Sequence, residues 1–168
     1  MPSATLTTAV FQLESLISSI SPETDDAPTP CSEWVVRDLV DHVLHTTAGL
    51  TQMVKGEEVD WSAPVEHHDD SLAEFRQRGA ALLAAADDAQ LGLPAAELAV
   101  HTWDLATALG QGTDDLDPAV AEVGHAFMLE NLGPEQRQGA FDPEKPAPEG
   151  ANAYERLAAF AGRSVTRD

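Results

Sequence analysis

Cysteine, aromatic residues and positive charge are all scarce in this sequence of 168 residues. Its single cysteine, Cys31, excludes a disulfide within the chain and is typical of an intracellular protein. Aromatic residues make up 5% of the chain, so we expect a core packed from alanine, leucine and valine. The chain has no stretch of about 18 apolar residues, and its N-terminus lacks the basic start and apolar segment of a secretory signal. We therefore expect a cytoplasmic protein without a membrane-spanning helix.

The charge balance is strongly acidic, with 29 aspartate and glutamate residues, 9 lysine and arginine residues and a net charge of −20. Such a surface repels phosphate backbones and anionic lipids, so we expect neither nucleic acid nor a membrane as a partner. The acidic residues are spread along the chain rather than collected in a tail. We therefore interpret the acidity as a solvated surface.

Stretches rich in proline and glycine divide the chain into segments whose apolar residues recur with helical spacing. The predicted helices span residues 4–20, 33–55, 69–88, 94–110, 115–133 and 151–163. Ser32 is the expected N-cap of the second helix, and Gly110 and Gly162 are expected to end the fourth and the sixth. No segment alternates with period two for long enough to predict a strand. The pattern predicts one all-α domain over residues 1–168, with shorter helices around a four-helix core.

The fourth predicted helix carries a narrow polar strip in an otherwise apolar segment. Between Pro94 and Gly112 the ionisable side chains are Glu97, His101 and Asp104. Residues four apart lie one above the other on a helix, so Glu97 and His101 can hold one divalent cation between them. Two alternatives need no metal. A buried carboxylate needs a partner, which a hydrogen-bonded Glu–His pair would supply, or the strip faces solvent.

A third ligand has to come from another helix, and the second predicted helix offers His42. Helix phase places His42 at the border of the apolar side, whereas His45 lies on the polar half together with Asp38 and Asp41. His42, Glu97 and His101 then form a three-ligand, zinc-type site with one coordination position left open. Asp104 is the expected hydrogen-bond partner that orients His101 outside the ligand set.

For other candidate residues the sequence favours structural or surface roles. His67 and His68 lie in an acidic loop and are interpreted as surface residues. Cys31 precedes a helix, where the helix dipole favours a thiolate, but a packing role is the alternative. Arg163 is interpreted as a partner in a salt bridge at the C-terminal helix, with binding of a carboxylate ligand as the alternative.

Two motifs resemble a known family. The segments TPCSEWVVRDLVDHV and ELAVHTWDLATALGQ resemble the metal-binding domain of the mycothiol-dependent maleylpyruvate isomerase family, which belongs to the DinB-like four-helix bundles of actinobacteria. The tail RLAAFAGR is similar to the closing segment of a single-domain subgroup, and the resemblance covers about residues 5–163. The family's pattern implies metal ligands at His42, Glu97 and His101, a DinB-like fold, zinc as the expected metal and mycothiol as a co-substrate.

The implied chemistry follows from the metal. A thiol coordinated to a divalent cation is deprotonated, and the thiolate is a nucleophile for addition or displacement. In the resembled family reversible addition of mycothiol permits cis–trans isomerisation, and related members transfer the thiol. We therefore expect a metalloenzyme of the thiol transferase or isomerase type, with a small-molecule thiol and an electrophile as partners. A homodimer through a helix face is compatible with such a bundle.

Three departures from the family pattern keep other functions open. The chain ends shortly after Arg163 without the further domain of the family isomerases, which argues against maleylpyruvate isomerisation itself. The segment DDAQLGLPAA before Glu97 is shorter than in the subgroup, and His45 stands where a small residue is expected. The alternatives are a non-catalytic metal-binding or dimerising bundle with a stress or sensing role, and a metal-free relic of the scaffold.

Overall fold

Helices account for the regular structure of the computed structural model, which describes residues 1–137 and 141–167. Six α-helices follow one another over this part of the chain: α1 (Ala4–Ser18), α2 (Val36–Val54), α3 (Ser71–Ala85), α4 (Gly92–Ala108), α5 (Pro118–Asn131) and α6 (Ala153–Phe160). A short 3-10 turn, Asp88–Gln90, lies between α3 and α4. No strand forms among the described residues, and a bridge between Pro28 and Val35 is isolated. The predicted all-α, DinB-like bundle is confirmed.

The start of α2 differs from the prediction, because Ser32 is not its N-cap. The preceding segment is held by other bonds, since the Thr29 hydroxyl donates to the carbonyl oxygens of Cys31 and Trp34 at 2.9 and 2.8 Å. The helix therefore begins only at Val36. The Asp38 carboxylate accepts a hydrogen bond of 3.2 Å from the Val35 N–H, so the first turn is capped from within the helix.

Helix ends elsewhere follow local capping. The predicted third helix is too long, since α3 ends at Ala85 and the Asp87 carboxylate caps the separate 3-10 turn by accepting from the N–H groups of Ala89 and Gln90. The predicted glycine ends are present, because Gly110 has φ +69° after α4 and Gly162 has φ +91° after α6. Of the predicted irregular segment 133–150, residues 138–140 lie outside the described residues.

The fourth helix is the centre of the bundle. α4 contacts α1, α2, α5 and α6, and most of its residues are buried. The contact with α5 is especially close, because a Cβ atom at Gly124 would lie 2.7 Å from the Cα atom of Ala96. Small residues at this crossing let the two backbones approach, and α2 packs on another side of α4. Of the ionisable side chains on α4, His101 and Asp104 are therefore buried, and the Glu97 side chain is 23% exposed.

Over the described residues no helix is both long enough and apolar enough to cross a lipid bilayer.

Candidate metal centre

The structure brings the three predicted ligands together between α2 and α4. His42 comes from α2, and Glu97 and His101 come from successive turns of α4. One ligand atom from each of them lies within 4.8 Å of the others. The rings of His42 and His101 meet nearly at right angles, with their centroids 4.9 Å apart. Helix phase predicts His42 at the border of the apolar side of α2 and Glu97 and His101 on one face of α4, and the contact between the two helices brings these positions together.

The donor set and the spacing of the Glu97–His101 pair fit a small divalent cation. Zinc bonds to histidine nitrogen and carboxylate oxygen are about 2.1 Å long, so two ligands of a tetrahedral site lie about 3.4 Å apart. The Nε2 atom of His101 and the Oε2 atom of Glu97 are 3.6 Å apart. This is slightly too long for a hydrogen bond but close to the separation of two ligands. Two imidazoles and a carboxylate also match the ligand chemistry of zinc and of other divalent ions.

His42 is uncharged at neutral pH, as a metal ligand has to be. The Trp34 ring packs on it with centroids 4.5 Å apart, and its Nε2 atom lies 3.3 Å from the Thr46 hydroxyl. Burial, helped by the nearby His101, lowers the pKa of His42 to about 4. An imidazole that is unprotonated at neutral pH has a nitrogen lone pair available for a metal.

His101 is held by a buried ionic network. Its Nδ1 atom lies 3.2 Å from Oδ2 of Asp104, whose side chain is fully buried. Arg163, just beyond α6, donates to both carboxylate oxygens of Asp104, from Nε at 3.1 Å and from a terminal nitrogen at 2.9 Å. The contact that the orienting role of Asp104 requires is therefore present, and the role itself remains a prediction.

This network changes the protonation of its members. Burial alone would lower the pKa of His101, but its contacts with Asp104 and Glu97 outweigh burial and raise it to about 9. Burial would raise the pKa of Asp104, but His101 and Arg163 keep it below its usual range. In the absence of a metal, His101 is therefore an imidazolium between carboxylates at neutral pH.

Cys31 lies at the edge of the same network. Its Sγ atom is 3.6 Å from Asp104 and 3.7 Å from Arg163. Burial, followed by the charge of Asp104, raises the pKa of the thiol to about 11 despite the nearby guanidinium. A thiol with this pKa is protonated at neutral pH, which favours the packing interpretation over a nucleophilic role.

His45, His67 and His68 are not part of the ligand group. His67 and His68 belong to the loop before α3, where His67 contacts Asp41 at 2.8 Å and His68 contacts Arg78 at 3.1 Å. His45 is half-buried. Asp41 lies on the same face of α2 as His45, as helix phase predicts. It is nevertheless only 8% exposed, and His67 contacts its carboxylate.

Arg163 is the residue of the site that sequence reasoning did not place there. The predicted salt bridge is confirmed, but its partner is Asp104, 59 residues earlier in the chain. Helical spacing predicts contacts three or four residues apart and carries no information on such a pair. The sequence signal that could have linked the two residues is that both lie in segments that resemble the family, Asp104 in ELAVHTWDLATALGQ and Arg163 in RLAAFAGR.

Comparison with known proteins identifies a matching family and similar proteins. The family described as mycothiol maleylpyruvate isomerase N-terminal domain matches residues 6–106, a span that contains all three proposed ligands. Two proteins of Mycobacterium tuberculosis are each 33% identical to this chain over 174 residues: uncharacterized protein MT0763 of strain CDC 1551 / Oshkosh and uncharacterized protein Rv0738 of strain ATCC 25618 / H37Rv. Each alignment covers 89% of this chain and 91% of the relative. No solved structure matches the chain.

Proposed function

The chain belongs to the mycothiol maleylpyruvate isomerase N-terminal domain family, and we propose that it is a zinc-dependent enzyme that uses mycothiol as its nucleophile. The proposed reaction is transfer of the thiol to an electrophile, or isomerisation through reversible addition. The observation that carries the proposal is the convergence of His42, Glu97 and His101 within 4.8 Å between two helices. The family match supports the choice of mycothiol as the thiol.

The residues present would hold the metal with three protein atoms. Three such ligands on a four-coordinate cation leave one position for a sulfur atom. A bound divalent cation lowers the pKa of a thiol at that position and so supplies a thiolate at neutral pH. The roles of the chain are to present the neutral imidazole of His42, to contribute the charge of Glu97 and to fix the ring of His101 through Asp104 and Arg163.

Metal binding requires one proton to leave His101. Because Nδ1 of His101 faces Asp104, the proton that a metal would displace is the one on Nε2, which faces Glu97. The bond from Nδ1–H to Asp104 is kept and makes the imidazole a better ligand. Metal affinity is therefore expected to rise with pH until the pH reaches the pKa of His101, which is about 9.

A metal-free structural network is the second candidate, and one observation favours it. Protonated His101 lies between Glu97 and Asp104, and Asp104 is also paired with Arg163. These groups offset one another's charges without a metal. In that case the three side chains would stabilise the packing of α2 on α4 and would carry no chemistry.

Metal analysis separates the two candidates. The protein is purified without chelator, its metal content is measured by mass spectrometry, and a Co²⁺ titration is followed by visible absorption. We expect about one metal per chain in the wild type, loss of the metal in His42→Ala, and retention in His45→Ala, which changes the same residue type one turn along α2. A wild type that takes up no metal from saturating zinc would establish the metal-free network instead.

The enzymatic part of the proposal is tested on the metal-loaded protein. Mycothiol and an α,β-unsaturated ketone are incubated with it, and formation of the thioether is followed by chromatography. We expect turnover that is absent in His42→Ala and unchanged in His45→Ala. A full complement of metal without turnover or mycothiol binding would instead identify a non-catalytic metal protein.

A further inference from the structure

A cavity lies directly beside the proposed metal centre. It occupies about 170 Å³ between α4 and α5, and Glu97 is part of its wall. The same residue is thus both a proposed metal ligand and a lining residue of the cavity. A group bound in this cavity would lie next to the proposed metal. An electrophile must bind at such a position for the thiolate to attack it.

The lining of the cavity is apolar. Aliphatic and aromatic side chains make up most of it, among them Leu93, Val100, Phe127, Met128 and Phe141. Asn131 adds an exposed neutral amide, and among the described lining residues Glu97 carries the single charge. A wall of this kind favours uncharged apolar groups, and none of its described side chains offers a substrate carboxylate a cation.

The size of the cavity sets the size of its occupant. An engineered apolar cavity of about 150 Å³ in another protein binds benzene, so a volume of this order takes a group of about six carbon atoms. An aryl ring or a short branched alkyl chain meets both the size and the polarity of the lining. A substrate with two carboxylates does not match the polarity of the lining, and the net charge of −20 also repels it.

We propose that this cavity binds the uncharged aryl or branched alkyl group of the electrophile, with the reactive carbon directed toward Glu97. The inference rests on the proposed function, since it assigns the substrate class of the same site. For an acceptor with an activated double bond, the C–S bond forms, the π bond opens, and the thiol proton ends on the adjacent carbon. Thiol and acceptor are the only reactants that this addition needs.

A matched pair of ligands tests the assignment. Binding of toluene and of benzoate to the zinc-loaded protein is measured by ligand-observed NMR, because the two share a ring and differ in charge. We expect saturable binding of toluene and binding of benzoate that is at least about tenfold weaker. Equal or tighter binding of benzoate, or no binding of toluene, would overturn the inference.

A matched pair of variants locates the binding. Leu132→Phe adds volume at a lining position, whereas Leu129→Phe makes the same change on the exposed side of α5. We expect Leu132→Phe to weaken toluene binding about tenfold and Leu129→Phe to leave it unchanged. Equal affinity in the two variants would place toluene elsewhere and overturn the inference. The comparison of toluene with benzoate on the wild type needs no variant and so does not depend on how either variant folds.

The metal content of the same samples separates the two proposals. Metal uptake without toluene binding overturns the cavity assignment and leaves the metal function standing. Toluene binding in a protein that takes up no metal overturns the proposed function, and with it the assignment of the cavity to an electrophile.

Discussion

Two histidine–carboxylate clusters that involve α2 have similar residues and different surroundings. The inner cluster joins His101 to Asp104 at 3.2 Å between α4 and its neighbours, and the outer cluster joins His67 to Asp41 at 2.8 Å at the rim. The His101 side chain is 9% exposed, whereas that of His67 is 59% exposed. A short contact between a histidine and an aspartate therefore does not by itself distinguish a site from a surface pair.

What distinguishes the inner cluster is the number of elements that converge on it. α2 supplies His42, α4 supplies Glu97, His101 and Asp104, and the segment after α6 supplies Arg163. Polar groups enclosed by helices have little water, so they must pair with one another or with an ion. In the outer cluster water can reach His67, and Oδ1 of Asp41 has no hydrogen-bond partner among the described residues. The enclosure by α4 and its neighbours makes the inner residues a candidate centre.

We expect the greatest loss of stability when the guanidinium of Arg163 is removed from the inner cluster. Arg163→Met leaves the fully buried Asp104 with one partner fewer, which is expected to lower the free energy of unfolding by about 3–5 kcal/mol. Arg37→Met is the control, because Arg37 pairs with Asp26 at the surface and such pairs contribute about 0–1 kcal/mol. Urea unfolding followed by circular dichroism measures both. Equal losses in the two variants would show that the enclosure of Asp104 has no energetic consequence.

The next effect is a pH dependence of the chelator-treated protein. The pKa of His101 is about 9 in the folded chain and about 6.5 in the unfolded one, so the folded state binds the proton more tightly. This contribution, at most about 3 kcal/mol, is fully present below pH 6.5 and is lost as the pH rises through 9. Urea unfolding at several pH values from 6 to 9.5 is expected to show falling stability in the wild type.

Variants of His101 and His67 show which histidine causes this pH dependence of stability. His101→Gln is expected to remove most of it. His67→Gln is expected to remove little, because the pKa of exposed His67 is also raised by its bond to Asp41 but water screens that pair. His42 acts in the opposite sense, since its folded pKa of about 4 makes stability fall as the pH drops from 6.5 toward 4. A slope between pH 6.5 and 9 that survives in His101→Gln would contradict the assignment.

The contrast also shows which parts of the molecule are predictable from the sequence. Periodicity and the positions of glycine predict the six helices and several of their ends, because each depends on neighbouring residues. The spacing of Glu97, His101 and Asp104 predicts their common face for the same reason. The partner of Arg163, the burial of Asp41 and the late start of α2 depend on how distant segments and loops pack, which local patterns do not encode.

The carboxylates of the two clusters are expected to differ in their effect on metal affinity. Asp104→Asn keeps the shape of the side chain but removes the charge that accepts from Nδ1 of His101, so we expect Co²⁺ affinity to fall about 10–100-fold. Asp41→Asn makes the same change in the outer cluster and is expected to leave the affinity unchanged, although His67 contacts that carboxylate at 2.8 Å. Titrations are compared at one pH on samples shown to be folded by circular dichroism. If both variants lose affinity equally, the effect comes from the charge of the whole bundle. If neither does, Asp104 supports the packing around Arg163 rather than the imidazole of His101.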